Sequence, residues 1–412
     1  MARRVVVTGL GPITPIGIGK EAFWEGLRTG KSGIRRVDDI IDLDGIDVKI
    51  GAPVLDFDPL EHMDRRRARR IDRSAQFGLV ATKLAFSDAG LNPADLDPDR
   101  VGVIAGTGIG GLETMSANFK VLFEQGPRRV SPFFIPRLMP NAVAGEIAIE
   151  FGLRGANFGV VSACASSAHA IGIASELICS GFIDAAVAGG AEAGLFPISY
   201  AGFVQIGALS KRNDEPSRAS RPFDRDRDGF VIGEGAGILI LEEEGHARAR
   251  GARIYAELAG FGMTDDAYHI TAPPPDGIGA AAAIKGALSR GGVSPNEVDY
   301  INAHGTSTEL NDRSETTAIK LALGEAAYKV KIGSTKSQIG HLLGAAGAAE
   351  AIATLLAMEN SFIPATLNYE NPDPECDLDY TPSPIEKEIG LAISDSFGFG
   401  GQNAVLLFKR VG

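Results

Sequence analysis

One stretch constrains the fold more than any other. From Ala156 to Gly181 the chain reads Ala-Asn-Phe-Gly-Val-Val-Ser-Ala-Cys-Ala-Ser-Ser-Ala-His-Ala-Ile-Gly-Ile-Ala-Ser-Glu-Leu-Ile-Cys-Ser-Gly, a short apolar strand that turns directly into a helix. Between Ala165 and Ser180 there is no proline and almost no charge, and Gly181 supplies a C-terminal stop. A helix that is apolar on every face belongs in the middle of a protein. Cys164 stands at its start, where unpaired backbone N–H groups and the macrodipole favour a thiolate. The expectation is a thiol pKa lowered from about 8.5 toward roughly 3.5–7.5. Free cysteines more often act as small buried hydrophobes, and that reading holds for Cys179 and Cys376. The strand-turn-helix context makes Cys164 the exception.

Around this stretch, strand patterns at Val5–Gly9, Val101–Gly106, Asn157–Ser162, Asp184–Ala191 and Gly237–Leu241 alternate with helical ones at Glu21–Thr29, Ser74–Ala89, Val143–Phe151 and Cys164–Ser180. Such alternation implies an α/β sheet. The order recurs as a strand at Ala252–Gly260, a helix at Gly279–Arg290, strands at Tyr300–Ala303 and Lys331–Gly333, and an Ala-rich helix at Gly344–Asn360. Asn157–Gly181 resembles Val330–Asn360, and Asp228–Leu241 resembles Asp395–Phe408, with Phe230 against Phe397 and Gly233 against Gly400. We therefore expect an internal duplication with halves 1–251 and 252–412, whose central helices share one core. At 412 residues and 44% hydrophobic the chain can bury such a core.

Three loops carry polar groups that such a core would otherwise reject. They are the Cys164 turn, Asn302-Ala303-His304-Gly305-Thr306-Ser307-Thr308, and Ser334-Thr335-Lys336-Ser337-Gln338-Ile339-Gly340-His341. The duplication makes them converge. His169, five positions beyond Cys164, lies about 140° away around the helix axis and reads as a core or interface residue. His62 and His246 read as surface residues and His269 as structural. His304 and His341, with Lys336 and a cysteine at a helix start, form a candidate nucleophile site.

Composition excludes other classes. Three irregularly spaced cysteines make neither a disulfide framework nor a zinc site. No apolar run approaches the roughly 18 residues of a membrane span, and the N-terminus enters a strand at once, so no signal peptide is expected and the chain reads as cytoplasmic. A net charge of −12 argues against binding nucleic acid. Against that balance stands the basic run Arg65-Arg66-Arg67-Ala68-Arg69-Arg70, either a solvated face or a dock for an acidic partner.

The motifs Val-Ser-Ala-Cys-Ala-Ser-Ser at 161–167, Ala-His-Gly-Thr-Ser-Thr at 303–308, Gly-Ser-Thr-Lys-Ser-Gln-Ile-Gly-His-Leu-Leu-Gly-Ala-Ala-Gly at 333–347 and Ser-Phe-Gly-Phe-Gly-Gly at 396–401 fall in an order that resembles the β-ketoacyl-acyl-carrier-protein synthases. These are the condensing enzymes of fatty-acid elongation, and the likeness is greatest to their type II branch. The resemblance implies a thiolase-like fold, two duplicated α/β halves in a five-layered α-β-α-β-α sandwich, usually as a homodimer. It implies Cys164 as nucleophile, His304 and His341 as the paired histidines, Lys336 as the active-site lysine and Glu350 as its support. Phe399 becomes the gate, and its N–H joins that of Cys164 in an oxyanion hole. The acyl pocket would be lined by Ile109, Phe203, Phe134 and Ile135, the last two from a partner subunit, with room for long acyl chains. Thr306 and Thr308 would hold the pantetheine arm. Arg66, Arg69, Arg70, Arg128 and Arg129 would dock acyl carrier protein, which is acidic. No cofactor or metal is implied, since 4'-phosphopantetheine arrives on the carrier protein.

Gly207, Asp395 and Gln402 depart from the family pattern, where a basic residue, Asn and Thr are common. A thiolase would carry a second cysteine near Phe399-Gly400-Gly401, and an initiating type III synthase would have asparagine at His341. A chain-length-factor subunit would have lost the nucleophile.

Overall fold

The computed structural model describes residues 3–411. Ten strands set the framework. The first half contributes β1 Val5–Thr14, β2 Val101–Gly106, β3 Asn157–Val160, β4 Ala185–Glu192 and β5 Gly235–Glu243. The second contributes β6 Ala256–Asp265, β7 Tyr300–Asn302, β8 Lys331–Gly333, β9 Leu391–Gly398 and β10 Gln402–Lys409. Their hydrogen-bonded order is β8-β7-β9-β10-β6-β1-β5-β4-β2-β3. The order is symmetric about its centre, where β1 and β6 meet antiparallel with Val6 opposite Glu257 and Val7 opposite Ala256. On each side of this seam the two inner pairings are antiparallel and the two outer ones parallel.

The main helices are α1 Arg73–Asp88, α2 Leu112–Gln125, α3 Ala142–Phe151, α4 Ser166–Cys179, α5 Ile278–Gly291, α6 Glu309–Leu323 and α7 Ala346–Asn360. Helix α4 packs on β2 and β4 of its own half and on β6 and β10 of the other, while α7 packs on β9 and on β5. The two half-sheets thus close over a shared α4–α7 layer. Helices α1 and α3 cover the first half-sheet outside and α5 covers the second, with α6 beside it, giving the five layers. The all-round apolar sequence finds its reason here: every residue of α7 from Ala346 to Met358 is buried.

The strand expected over Ala252–Gly260 runs instead over Ala256–Asp265, and the sequence-based expectation departs from the structure at three further places. Cys164 is not the first residue of α4 but lies in a 3-10 turn, Ala163–Ala165, that leads into it. Strand β1 runs on to Thr14, buried throughout. Helices α2 and α6 carry no clear apolar stripe, because α2 exposes Phe119 and Phe123 and α6 buries Asp312, Ser314 and Glu315 on its inner face.

Close packing between the halves generates a prediction. A Cβ on Gly172 in α4 would come within 2.3 Å of the Phe261 ring on β6. Ala is the better helix former, but overpacking costs about 1–3 kcal/mol and outweighs that gain. Gly172→Ala should lower the chemical denaturation midpoint. Gly286→Ala in α5, whose new Cβ meets only Gly262 Cα at 3.7 Å, should leave the midpoint unchanged or raise it by about 0.5–1 kcal/mol of stability.

Candidate active site

The nucleophile turn is built on an unusual backbone. Ala163 has φ 48°, and it swings the chain from the end of β3 into α4 so that Cys164 projects from the turn. Ser166 holds this geometry: the Ser162 N–H donates to its Oγ at 2.9 Å, and its hydroxyl lies 2.7 Å from Ala163 O and 3.1 Å from Thr107 O. The N–H of Phe399, in the loop after β9, donates to the Cys164 thiol. His169 is a satisfied core residue, its Nδ1 2.8 Å from Ser162 Oγ.

His341 is fixed by main-chain pairing. Its N–H donates to Val231 O at 2.7 Å and its carbonyl accepts from Gly233 N–H at 2.8 Å, which places Nε2 3.0 Å from Cys164 Sγ. His304 follows β7, and its N–H and that of Gly305 both donate to the Glu315 carboxylate at 2.7 Å. The two imidazoles stand edge to face with ring centres 5.4 Å apart. Behind them the buried Lys336 Nζ donates to His304 O at 2.6 Å, contacts His304 Nδ1 at 3.2 Å and ion-pairs with Glu350. An ammonium is only a donor, so His304 Nδ1 accepts and its proton sits on Nε2.

Burial holds both histidines well below the ordinary imidazole value, with the Lys336 charge adding to it. Burial also pushes Glu350 up to about 7, opposed by Lys336. For Cys164 the sequence expectation is reversed. Desolvation pushes the thiol up to about 11, and Lys336 and the Phe399 N–H only partly offset it. Desolvation of the sulfur is the largest influence on this thiol, although the residue is only half-buried and lines the cavity.

These groups open on a cavity of about 540 Å³ lined by Cys164, His304, His341, Ile109, Phe203 and Phe399, with Thr306 and Thr308 also on its wall. The two threonine hydroxyls are 2.9 Å apart. Phe134 and Ile135 lie on the short helix Phe134–Leu138 and do not reach this cavity within the chain. Arg66, Arg69 and Arg70 surround a separate hollow with Arg65 and Phe133, and the Arg70 guanidinium lies 5.1 Å from the Phe133 ring centre. Arg128 and Arg129 are exposed on the turn Pro127–Arg129.

Gly207 is the left-handed C-cap of the helix Pro197–Ile206, φ 73°, a conformation that suits glycine better than a basic residue. Asp395 lies buried on β9, behind the loop rather than in it. Neither of its oxygens has a partner among the described residues, and burial raises it well above the ordinary carboxyl value. Gln402 opens β10 opposite Gly398. His269, structural in the sequence reading, accepts from the N–H groups of Thr271 and Ala272 at 3.1 Å, and it also lines the mouth of the cavity. His246 is half-buried rather than free on the surface, with Nδ1 2.7 Å from Glu242.

Sequence reasoning missed Glu315, Ser166 and Glu192. A lone acid at the end of an apolar strand is the signal that could have pointed to Glu192, while Glu315, among other polar residues of α6, carries none. Cys164, His304 and His341 also bring one sulfur and two nitrogens within 4.8 Å of one another. With His304 carrying its proton on Nε2 and Cys164 a thiol, a metal bound there would displace a proton.

The chain is similar to known proteins along its whole length. The profile of the family described as Beta-ketoacyl synthase, N-terminal domain matches residues 2–247, and that of Beta-ketoacyl synthase, C-terminal domain matches 255–370. The chain is 51% identical over 409 residues to the 3-oxoacyl-[acyl-carrier-protein] synthase 2 of Synechocystis sp., covering 99% of this chain and 98% of that protein. It is 47% identical over 411 residues to the protein of the same name from Vibrio harveyi, covering 99% of each. Among solved structures, one of a type II PKS acyl-carrier protein in complex with its ketosynthase, bound to the hexaketide, superposes with TM-score 0.93 at 38% identity, all of both chains being covered. The ishigamide ketosynthase/chain length factor gives 0.94 at 37%, again over both whole chains. With matches to both halves and relatives near half identical from end to end, the chain belongs to the β-ketoacyl synthase family.

Proposed function

We propose that the chain elongates fatty acids by decarboxylative Claisen condensation of acyl-ACP with malonyl-ACP, giving 3-oxoacyl-ACP and CO2 through an acyl thioester on Cys164. The observation that carries this reading is the contact of Cys164 Sγ with His341 Nε2 at 3.0 Å beside a His304 whose tautomer Lys336 sets. The names of the full-length relatives agree with it.

In the first half-reaction Cys164 starts as a thiol hydrogen-bonded to neutral His341. As Sγ attacks the acyl carbonyl, its proton passes to His341 Nε2. The carbon–sulfur bond to pantetheine breaks, and the departing thiolate takes that proton. The oxyanion is held by the N–H groups of Cys164 and Phe399. In the second half-reaction the malonyl C–C bond breaks, CO2 leaves, and its electron pair forms an enolate. His304 Nε2–H donates to the enolate oxygen. His341 Nδ1 has no partner among the described residues, so nothing holds that imidazole in one tautomer, and with its proton on Nε2 His341 presents a second N–H. The enolate carbon attacks the acyl thioester and expels the Cys164 thiolate, which takes up a proton from solvent, the one proton that the overall reaction consumes. Lys336 and Glu350 position His304, while Ile109 and Phe203 enclose the acyl chain and Thr306 and Thr308 meet the pantetheine arm.

The chain falls into two synthase halves, 1–251 and 252–412, and works in the cytoplasm as a homodimer, in which Phe134 and Ile135 reach the partner's pocket. Supporting the dimer, β3 leaves one edge unpaired and exposes Phe158 and Val161 beside it. Arg66, Arg69, Arg70, Arg128 and Arg129 receive the acidic carrier protein. No free cofactor or metal takes part. The solved polyketide ketosynthases favour a second reading, elongation of a polyketide. The higher identity to the fatty-acid relatives, 51% against 38%, places it second.

Incubation with long-chain acyl-ACP should give an acyl adduct on Cys164 by mass spectrometry. Malonyl-ACP should then consume it, yielding a product two carbons longer, and Cys164→Ala should take up no acyl group. An adduct on another residue would overturn the mechanism. His304→Ala should retain acylation but lose about 10²–10³ in single-turnover condensation, the usual cost of one donor to a developing oxyanion. Because burial raises the thiol to about 11, alkylation of Cys164 by iodoacetamide should keep accelerating above pH 9, where an ordinary thiol with pKa near 8.5 levels off. A plateau below that pH would mean that the macrodipole governs after all.

A further inference from the structure

The duplication has a second catalytic-type turn, and it is filled. Leu343, at φ 49°, repeats the backbone of Ala163, and a 3-10 turn Leu343–Ala345 leads into α7 as Ala163–Ala165 leads into α4. Gly344 is therefore the counterpart of Cys164. The same symmetry pairs Glu192 with Gly398: in the first half Glu192 stands opposite Gly235, in the second Gly398 stands opposite Gln402, and Gly235 and Gln402 are equivalent by the Asp228–Asp395 alignment. Around Cys164 the Gly398 position has no side chain. A Cβ there would meet Ser162 O at 2.7 Å and lie 3.3 Å from Cys164 N, so the turn's own backbone bars any side chain beside the thiol. Around Gly344 the equivalent space holds the Glu192 carboxylate.

That carboxylate is fully surrounded by donors. One oxygen accepts from the N–H groups of Gly344 at 3.0 Å and Gly108 at 2.5 Å, and the other from the Thr107 hydroxyl at 2.9 Å and Ile109 N–H at 3.3 Å. Glu192 is 1% exposed. With a donor on every side, a proton on this group would displace one of them, so the arrangement suits the anion even though burial raises its pKa. We propose that Glu192 is a positioning residue for acyl-chain selection, an internal anion seated in the pseudo-twofold counterpart of the Cys164 oxyanion site, where it ties the Ile109 turn to the Gly344 turn.

The proposal rests on the elongation reading. Ile109 lines the acyl cavity, so an acyl group long enough to reach Ile109 feels any displacement of that turn, and a shorter one does not. The test is acylation of Cys164 by short- and long-chain acyl-ACP in wild type, Glu192→Gln and Glu192→Ala, with thermal melting of each. Glu192→Gln should remain folded and lose about tenfold or more in kcat/KM for the long donor, the scale of one lost hydrogen bond to a charged group, while changing the short donor little. Sodium formate should restore long-chain acylation in Glu192→Ala by supplying the missing carboxylate. Equal loss on both donors, no loss on either, or no response to formate overturns the proposal while leaving the elongation reading intact. Failure of wild type to acylate at all overturns that reading instead.

Discussion

The structure depends on a backbone conformation that an alanine adopts only under constraint. A positive φ at a non-glycine residue costs on the order of 1 kcal/mol or more, and the chain accepts it at Ala163 and again at Leu343. Both are turns that lead into helices buried between two sheets. Helices α4 and α7 cannot shift along their axes without losing contacts on both faces, so each turn must reach its helix in the distance left to it. Ser166 stabilises the first turn by bonding on both sides of the strained residue. Strain in the loop is thereby converted into a fixed position for Sγ, within hydrogen-bond reach of His341.

The electrostatics follow from the same burial. Desolvation keeps the imidazoles neutral, which condensation requires, and it also keeps the thiol protonated, which acylation does not want. The contact between Cys164 and His341 reconciles the two, since a thiol with an acceptor at 3.0 Å can shed its proton during attack without being ionised beforehand. Lys336 contributes by position as well as by charge. Its pairing with Glu350 and its contact with His304 Nδ1 set which imidazole nitrogen carries hydrogen.

Much of this was legible in the sequence. The all-round apolar helix, the repeated order of elements and the convergence of the three polar loops could be read from residue patterns, because burial on both faces erases helical periodicity and duplication repeats it. Three things were not legible. The Cys164 pKa depends on how far the sulfur is desolvated, which is a property of packing between halves. Helix α6 hides its inner face because Asp312 and Glu315 are buried as acceptors for backbone N–H groups of neighbouring loops, so its polar pattern reads as solvent-facing. Glu192 ends a strand of small apolar residues, and its donors come from two loops distant in sequence.

Duplication explains why a symmetric scaffold holds one reactive centre. Each half supplies a left-handed turn, a helix N-terminus and a strand end beside it. In one half the strand end is Gly398 and the turn carries a cysteine, so the N–H groups face an open cavity. In the other the turn carries Gly344, whose Cβ position is already taken by the backbone of Thr107 and Gly108, and the strand end carries a carboxylate. Two N-terminal dipoles meet at the shared helix layer, and an unfilled second site would leave backbone N–H groups buried without acceptors, at a cost of roughly 1–3 kcal/mol each. Filling it with the protein's own anion removes that cost and joins the acyl wall to the turn beyond His341. The spent half of the duplication thus holds the shape of the working half.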